Sequence, residues 1–105
     1  MILLPLFKGL SDPVRLRITH LLTQRDKLCV CDITDALSLP QSTVSRHLNT
    51  LKHCGLVDAE RKGKWVYYSM IKTADIAVIS ELIRNGSLSD GQLQQDLAML
   101  KKSIC

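Results

Sequence analysis

Aromatic side chains are scarce in this chain: phenylalanine, tyrosine and tryptophan together make up 4% of its 105 residues. A core built with so few must be aliphatic, and leucine and isoleucine recur at helical spacing to supply it. No apolar run approaches the roughly 20 residues that a bilayer-spanning helix needs, so no membrane association is expected. The opening stretch from Met1 to Phe7 is apolar, yet it has no basic residue before it and no small-residue cleavage site, which argues against a secretory signal. A cytoplasmic location is therefore expected. Thiols stay reduced there, so the four cysteines read as ligands, redox sensors or buried fillers before disulfides. Internal repeats, low-complexity stretches and linkers are missing too, and residues 1–105 are expected to form one domain. No Ser-His-Asp order, glycine-rich phosphate loop or catalytic carboxylate pair stands out. The chain is thus not expected to be an enzyme.

Charge is present but unevenly placed. The whole chain carries a formal +4. The segment 41–72 holds Arg46, Lys52, Arg61, Lys62, Lys64 and Lys72 against only Asp58 and Glu60, so this third by itself matches the excess of the whole. A basic patch confined to one segment suits a polyanion partner.

The apolar pattern then gives the elements. Leu3 to Leu10 reads as a short helix. Asp12-Pro13 supplies an N-cap and a first-turn proline, followed by Val14, Ile18, Leu21 and Leu22 at helical spacing, with a polar break from Thr23 to Lys27. A third helix is predicted from Val30 to Leu37 and a fourth from Pro40 or Gln41 to His53, with Val44, Leu48 and Leu51 facing inward. Gly55 stands where a left-handed C-terminal cap belongs. The period then changes to alternation, with strands over Leu56 to Arg61 and Trp65 to Met70 around a Lys62-Gly63-Lys64 loop. Helices over Ala74 to Arg84, with Ile76, Ile79, Leu82 and Ile83 on one stripe, and over Gly91 to Lys102 complete an α-α-α-α-β-β-α-α order. A helix pair with a short turn, followed by a β-hairpin, is the winged helix-turn-helix arrangement. The terminal stripes suggest a homodimer in which Leu3, Leu4, Leu6 and Phe7 meet Ile76, Ile79 and Ile83 across a two-fold axis.

The fourth helix carries short hydrogen-bonding side chains opposite its apolar stripe. Gln41, Ser42, Thr43, Ser45, Arg46 and His47 are the candidate contacts to double-stranded operator DNA, because glutamine can pair with adenine, arginine with guanine, and hydroxyls with bases or phosphates. Arg61, Lys62 and Lys64 at the hairpin tip would add phosphate contacts, which give affinity without sequence choice. Trp65, Tyr67 and Tyr68 read as wing packing. His20 and His53 read as surface or satisfied positions, not ligands.

The run Lys27-Leu28-Cys29-Val30-Cys31-Asp32-Ile33 resembles the metal-binding box of the ArsR/SmtB family of winged-helix metal-sensing repressors. Leu6 to Ile18, Ser45-Arg46-His47-Leu48 with Leu51, Gly55-Leu56-Val57 and Arg61 to Tyr68 are similar to that family's opening, recognition helix, exit and wing. The resemblance covers roughly residues 3 to 72. It departs at the start of the recognition helix, where Pro40 stands in place of a frequent serine and Ser42 in place of a frequent proline. It implies a dimeric repressor that leaves its operator when a soft ion binds at Cys29 and Cys31.

Thiolates suit such ions. On a regular helix, however, two residues two apart diverge by about 200°, so ion capture is expected to unwind the first turn of the third helix. Some arsenite-type members carry a third cysteine where this chain has Thr34, leaving Cys54 or Cys105 as the third sulfur or only two sulfurs in use. Cadmium- and lead-type members add cysteines in an N-terminal extension. Zinc-type members use histidines and carboxylates on the dimer helix, where this chain offers only Asp75 and Glu81. Arsenite or antimonite is therefore the expected inducer. The rival readings are cysteine oxidation, another soft ion such as cadmium or lead, or ligand-free DNA binding on the same fold.

Overall fold

A computed structural model describes residues 3–102. Among these the order is α1 (Leu3–Leu10), α2 (Pro13–Gln24), β1 (Leu28–Cys29), α3 (Val30–Leu37), α4 (Gln41–His53), β2 (Val57–Lys62), β3 (Trp65–Met70), α5 (Ala74–Ser87) and α6 (Gly91–Lys102). This is the winged helix-turn-helix arrangement predicted from the sequence, with one strand more. β1 is only two residues long and adds to the hairpin as an outer strand, giving an antiparallel sheet in the order β1-β3-β2. Leu28 pairs with Tyr68 and Cys29 with Tyr67. A pair of residues is too short to show alternation, and so the strand escapes a reading by period.

The helix ends follow local chemistry. Asp12 takes an extended backbone and its carboxylate accepts from the Arg15 amide at 3.1 Å, while Pro13 opens α2. α4 ends in a Schellman motif: the Gly55 amide donates to the Lys52 carbonyl at 3.2 Å and the Leu56 amide to the Leu51 carbonyl at 3.1 Å. Gly55 has φ +88°, a left-handed value that a side chain would strain. At the wing tip Gly63 does the same at φ +63°, and the turn is one residue tighter than the loop expected from Lys62 to Lys64, because β2 extends through Lys62.

The core is aliphatic. Ile18, Leu21, Ile33, Val44, Leu48, Leu51 and Leu56 are fully enclosed, and Leu6 joins them from α1. α5 packs on α2, and α6 packs on both α3 and α2. This placement corrects the expected dimer seam. Ile76, Ile79 and Ile83 lie in the protomer's own core, as does Leu6, and so do not face a partner. Leu82 does not share their stripe: it is 70% exposed, as is Val78 one turn earlier. At 100° per residue Leu82 lies a full 100° around the helix from Ile83. Leu3, Leu4 and Phe7 of α1 are likewise exposed.

His20 is also corrected. It is fully buried, and among the described residues neither ring nitrogen has a hydrogen-bond partner. Burial is the larger effect on its pKa and lowers it, against the opposing pull of Asp96 and Asp90. His53 is exposed and its Nδ1 lies 2.8 Å from the Asn49 carbonyl oxygen.

Candidate functional site

The thiol site is built at the junction of β1 and α3. Cys29 is the last residue of β1 and the N-cap of α3, with φ −80° and ψ 164°, while Cys31 is already inside the helix. Because one cysteine lies outside the helix, the 200° divergence of helical neighbours does not apply. The two sulfurs meet, and Cys29 and Cys31 pair with one another across a Cα separation of 5.4 Å. The expected unwinding of the first turn is therefore not needed to bring them together. Cys29 is buried and Cys31 half-buried.

Asp32 belongs to the same group. One ligand atom from each of Cys29, Cys31 and Asp32 lies within 4.8 Å of the others. Its carboxylate also accepts from the Cys29 amide at 3.1 Å, so it fixes the backbone of the residue whose sulfur would bind an ion. A carboxylate in the first turn of α3 is favoured by the helix dipole as well. The reading by cysteine spacing missed Asp32. Its signal was its place three residues after the N-cap, where an acidic side chain reaches back to the cap amide. Two thiolates and a carboxylate could hold a thiophilic cation or metalloid.

Neither suggested third sulfur joins this group within the described residues. Cys54 caps α4 and packs under α1, with its Sγ 3.3 Å from the Leu51 carbonyl oxygen. Burial pushes the Cys54 thiol up in pKa, which disfavours the thiolate. Cys105 lies outside the described residues. Thr34, where a third cysteine would stand in some arsenite-type relatives, donates its hydroxyl to the Cys31 carbonyl at 2.9 Å.

The candidate nucleic-acid surface is α4 with the wing. Gln41, Ser42 and Arg46 are exposed, Thr43 and Ser45 half-buried, and Arg61, Lys62 and Lys64 exposed along the hairpin. His47 differs from its neighbours. Its side chain is only 14% exposed, with Nδ1 3.9 Å from Asp12 Oδ2. Arg15 donates to that same nitrogen at 3.3 Å and to the Gly9 carbonyl at 2.7 Å. His47 thus faces the α1–α2 junction and ties α4 to it, instead of pointing outward with Arg46. Sequence reasoning missed Arg15, because helical spacing gives a face but not a partner 32 residues away.

The profile of the bacterial regulatory protein arsR family matches residues 12–59. The chain belongs to this family. The cadmium resistance transcriptional regulatory protein CadC of Listeria innocua is 49% identical over 76 residues, covering 72% of this chain and 63% of the relative. The arsenical resistance operon repressor of Escherichia coli is 47% identical over 65 residues, covering 62% of this chain and 56% of the relative. The chain thus spans less than two thirds of the length of either one. Among solved structures, the homodimeric winged helix-turn-helix DNA-binding domain Mb0332 of Mycobacterium bovis superposes with TM-score 0.71 at 30% identity, covering 86% of this chain and 82% of that one. The AntR antimony-specific transcriptional repressor superposes with TM-score 0.67 at 30% identity, covering 76% of this chain and 71% of that one. As an ArsR-family member the chain has the fold of a transcriptional regulator, and among its described residues no helix is long and apolar enough to cross a membrane.

Proposed function

We propose that this ArsR-family protein is a homodimeric repressor that binds operator DNA through α4 and the wing, and releases it when arsenite or antimonite binds the Cys29 and Cys31 thiolates. The observation that carries this reading is the convergence of both sulfurs and the Asp32 carboxylate at the start of α3. α3 leads through the Ser38–Pro40 turn into α4, and β1 pairs with wing strand β3, so the site adjoins both DNA-facing elements. Thiophilic As(III) and Sb(III) suit a dithiol, and the relatives named for arsenic and antimony support that choice. The cadmium-named relative makes cadmium the competing ion.

Gln41, Ser42, Thr43, Ser45 and Arg46 take the base-facing role, and Arg61, Lys62 and Lys64 the phosphate role. His47 positions the helix from behind. Dimerisation would use the apolar side chains left open on each protomer, Leu3, Leu4 and Phe7 on α1 with Val78 and Leu82 on α5, and the homodimeric neighbour supports it. Only a dimer sets two recognition helices about one DNA turn apart.

The direct pairing of Cys29 with Cys31 favours one second reading, release on oxidation of the dithiol. In that reaction peroxide takes two electrons from the two thiols, a disulfide forms and two waters leave. A fluorescence-anisotropy titration of a labelled operator at fixed salt separates the readings. Release by arsenite or antimonite from the reduced protein, lost in the Cys29→Ser, Cys31→Ser variant, is the expected result. Release by peroxide with no response to arsenite would select the redox reading. Release by arsenite from the double serine variant would overturn the thiol site altogether.

A further inference from the structure

Lys27 lies two residues before Cys29 and outside the segment whose basic charge marks the DNA surface. The sheet brings it there. Its ammonium sits 5.5 Å from the centroid of the Tyr67 ring. Tyr67 is the register partner of Cys29 on one side and of Glu60 on the other. Lys62 stands two residues beyond Glu60 on the same face of β2, and its Nζ lies 3.3 Å from the Glu60 carboxylate. Lys27, Tyr67, Glu60 and Lys62 therefore form a row across the wing, ending next to the Gly63 tip.

Lys62 sits on the Glu60 carboxylate and Lys27 over the adjoining Tyr67 ring, so two ammonium groups share this exposed row with one carboxylate and leave it net positive. An anion placed between them removes their mutual repulsion, and a phosphodiester oxygen is such an anion. The row shares the wing with exposed Arg61 and Lys64, which places that anion on the same polymer α4 would read. An acidic protein partner would have no reason to meet the wing tip and α4 together.

We propose that Lys27 and Lys62 form a two-lysine clamp on the operator backbone, so that the segment leading into β1 and Cys29 is itself part of the DNA interface. This rests on the DNA-binding reading above and deepens it. Ion capture at Cys29 would then act on a segment already touching DNA, and the signal would not need to cross the domain. No local pattern signals this, because Lys27 lies 35 residues from Lys62 in the chain and only the pairing of β1 and β2 with β3 brings both onto one sheet.

The test is the salt dependence of operator binding by the reduced full chain, read by anisotropy. Each phosphate contact contributes about 0.9 to the slope of log affinity against log salt. Lys27→Gln is expected to lower that slope by about one per protomer, about two for the dimer, and to weaken binding alike on operator and unrelated duplex. Lys27→Arg is expected to restore the slope. Lys101→Gln, which removes the same charge from exposed α6, is expected to leave it unchanged. A Lys27→Gln slope equal to wild type would overturn the clamp while leaving the repressor reading intact. An equal fall in the Lys101 variant would overturn it too, since general field and not contact would then be at work. Failure of the wild-type chain to bind duplex DNA would sink the repressor reading itself, and the clamp with it.

Discussion

Arg17 of α2 and Asp96 of α6 form a two-pronged ion pair, Nε to Oδ2 at 2.9 Å and Nη2 to Oδ1 at 3.0 Å, with the aspartate side chain 2% exposed. Gln92 donates a further hydrogen bond to Oδ1 at 3.0 Å, and Arg17 also reaches the Leu37 carbonyl at the end of α3. One arginine thus fastens α6 to α2 and α3 together. Breaking such a pair leaves a buried charge without its counter-charge, which costs about 3 kcal/mol or more. Arg17 keeps some solvent contact, so the lower end applies. Asp96→Ala is expected to lose about 3 kcal/mol in urea unfolding, and the Arg17→Met, Asp96→Leu double variant appreciably less. Equal losses in both would show that packing of α6, not the charge pair, carries the stability.

Stability should fall on mild acidification because of His20. Its folded pKa lies below the ordinary value of about 6.5, so the unfolded chain binds more protons in the window just beneath that value. The contribution of the neutral ring is complete above about pH 7 and is lost as pH falls through the unfolded pKa toward the folded one. Asp12 has a lowered pKa as well, chiefly through its hydrogen bond from the Arg15 amide, but it acts only below about pH 4. Thermal melts from pH 7.5 to 5 should show the His20 step. His20→Leu should abolish it and raise stability at pH 5 by about 1 kcal/mol, since it also removes two unsatisfied buried nitrogens. An unchanged pH profile in that variant would refute the assignment.

Gly9 is required by Cys54. A Cβ on Gly9 would stand 2.6 Å from the Cys54 sulfur. Gly9→Ala should therefore destabilise by about 1–2 kcal/mol through overpacking, even though alanine is the better helix former. Cys54→Ala should rescue it, and the coupling can be read from a double-mutant cycle in urea. Additive losses would mean that α1 shifts without regard to the sulfur.

Leu82→Glu separates fold from assembly. Leu82 is 70% exposed in the protomer, so the charge should leave the monomer's stability within about 0.5 kcal/mol. In a two-fold interface the same charge would be buried twice. Sedimentation is expected to show monomer for the variant and dimer for the parent, with operator affinity falling alongside. An intact Leu82→Glu dimer would place the interface elsewhere.

Much of the architecture was legible in the chain. α1, α3, α4 and α6 have the bounds their periodicity predicts, because each buries one apolar stripe and ends on a local signal: Pro40 opens α4 and Gly55 closes it. α5 shows the limit. Its apolar residues occupy more than one face, and nothing local tells Ile83, which joins the protomer's core, from Leu82, which the protomer leaves exposed. The thiol pair was legible as composition but not as geometry, since the divergence expected of two helical cysteines vanishes once Cys29 belongs to a strand.

The sequence by itself determined the elements, the basic segment and the Cys-Val-Cys-Asp run, because propensity, capping and periodicity act between near neighbours along the chain. Only the tertiary structure decided which residues work together. It turned His47 toward Arg15, buried His20, closed Ile76, Ile79 and Ile83 into the protomer and laid Lys27 over Tyr67. These contacts join residues far apart in the chain, and their energies depend on how helices and strands pack, which no local pattern encodes.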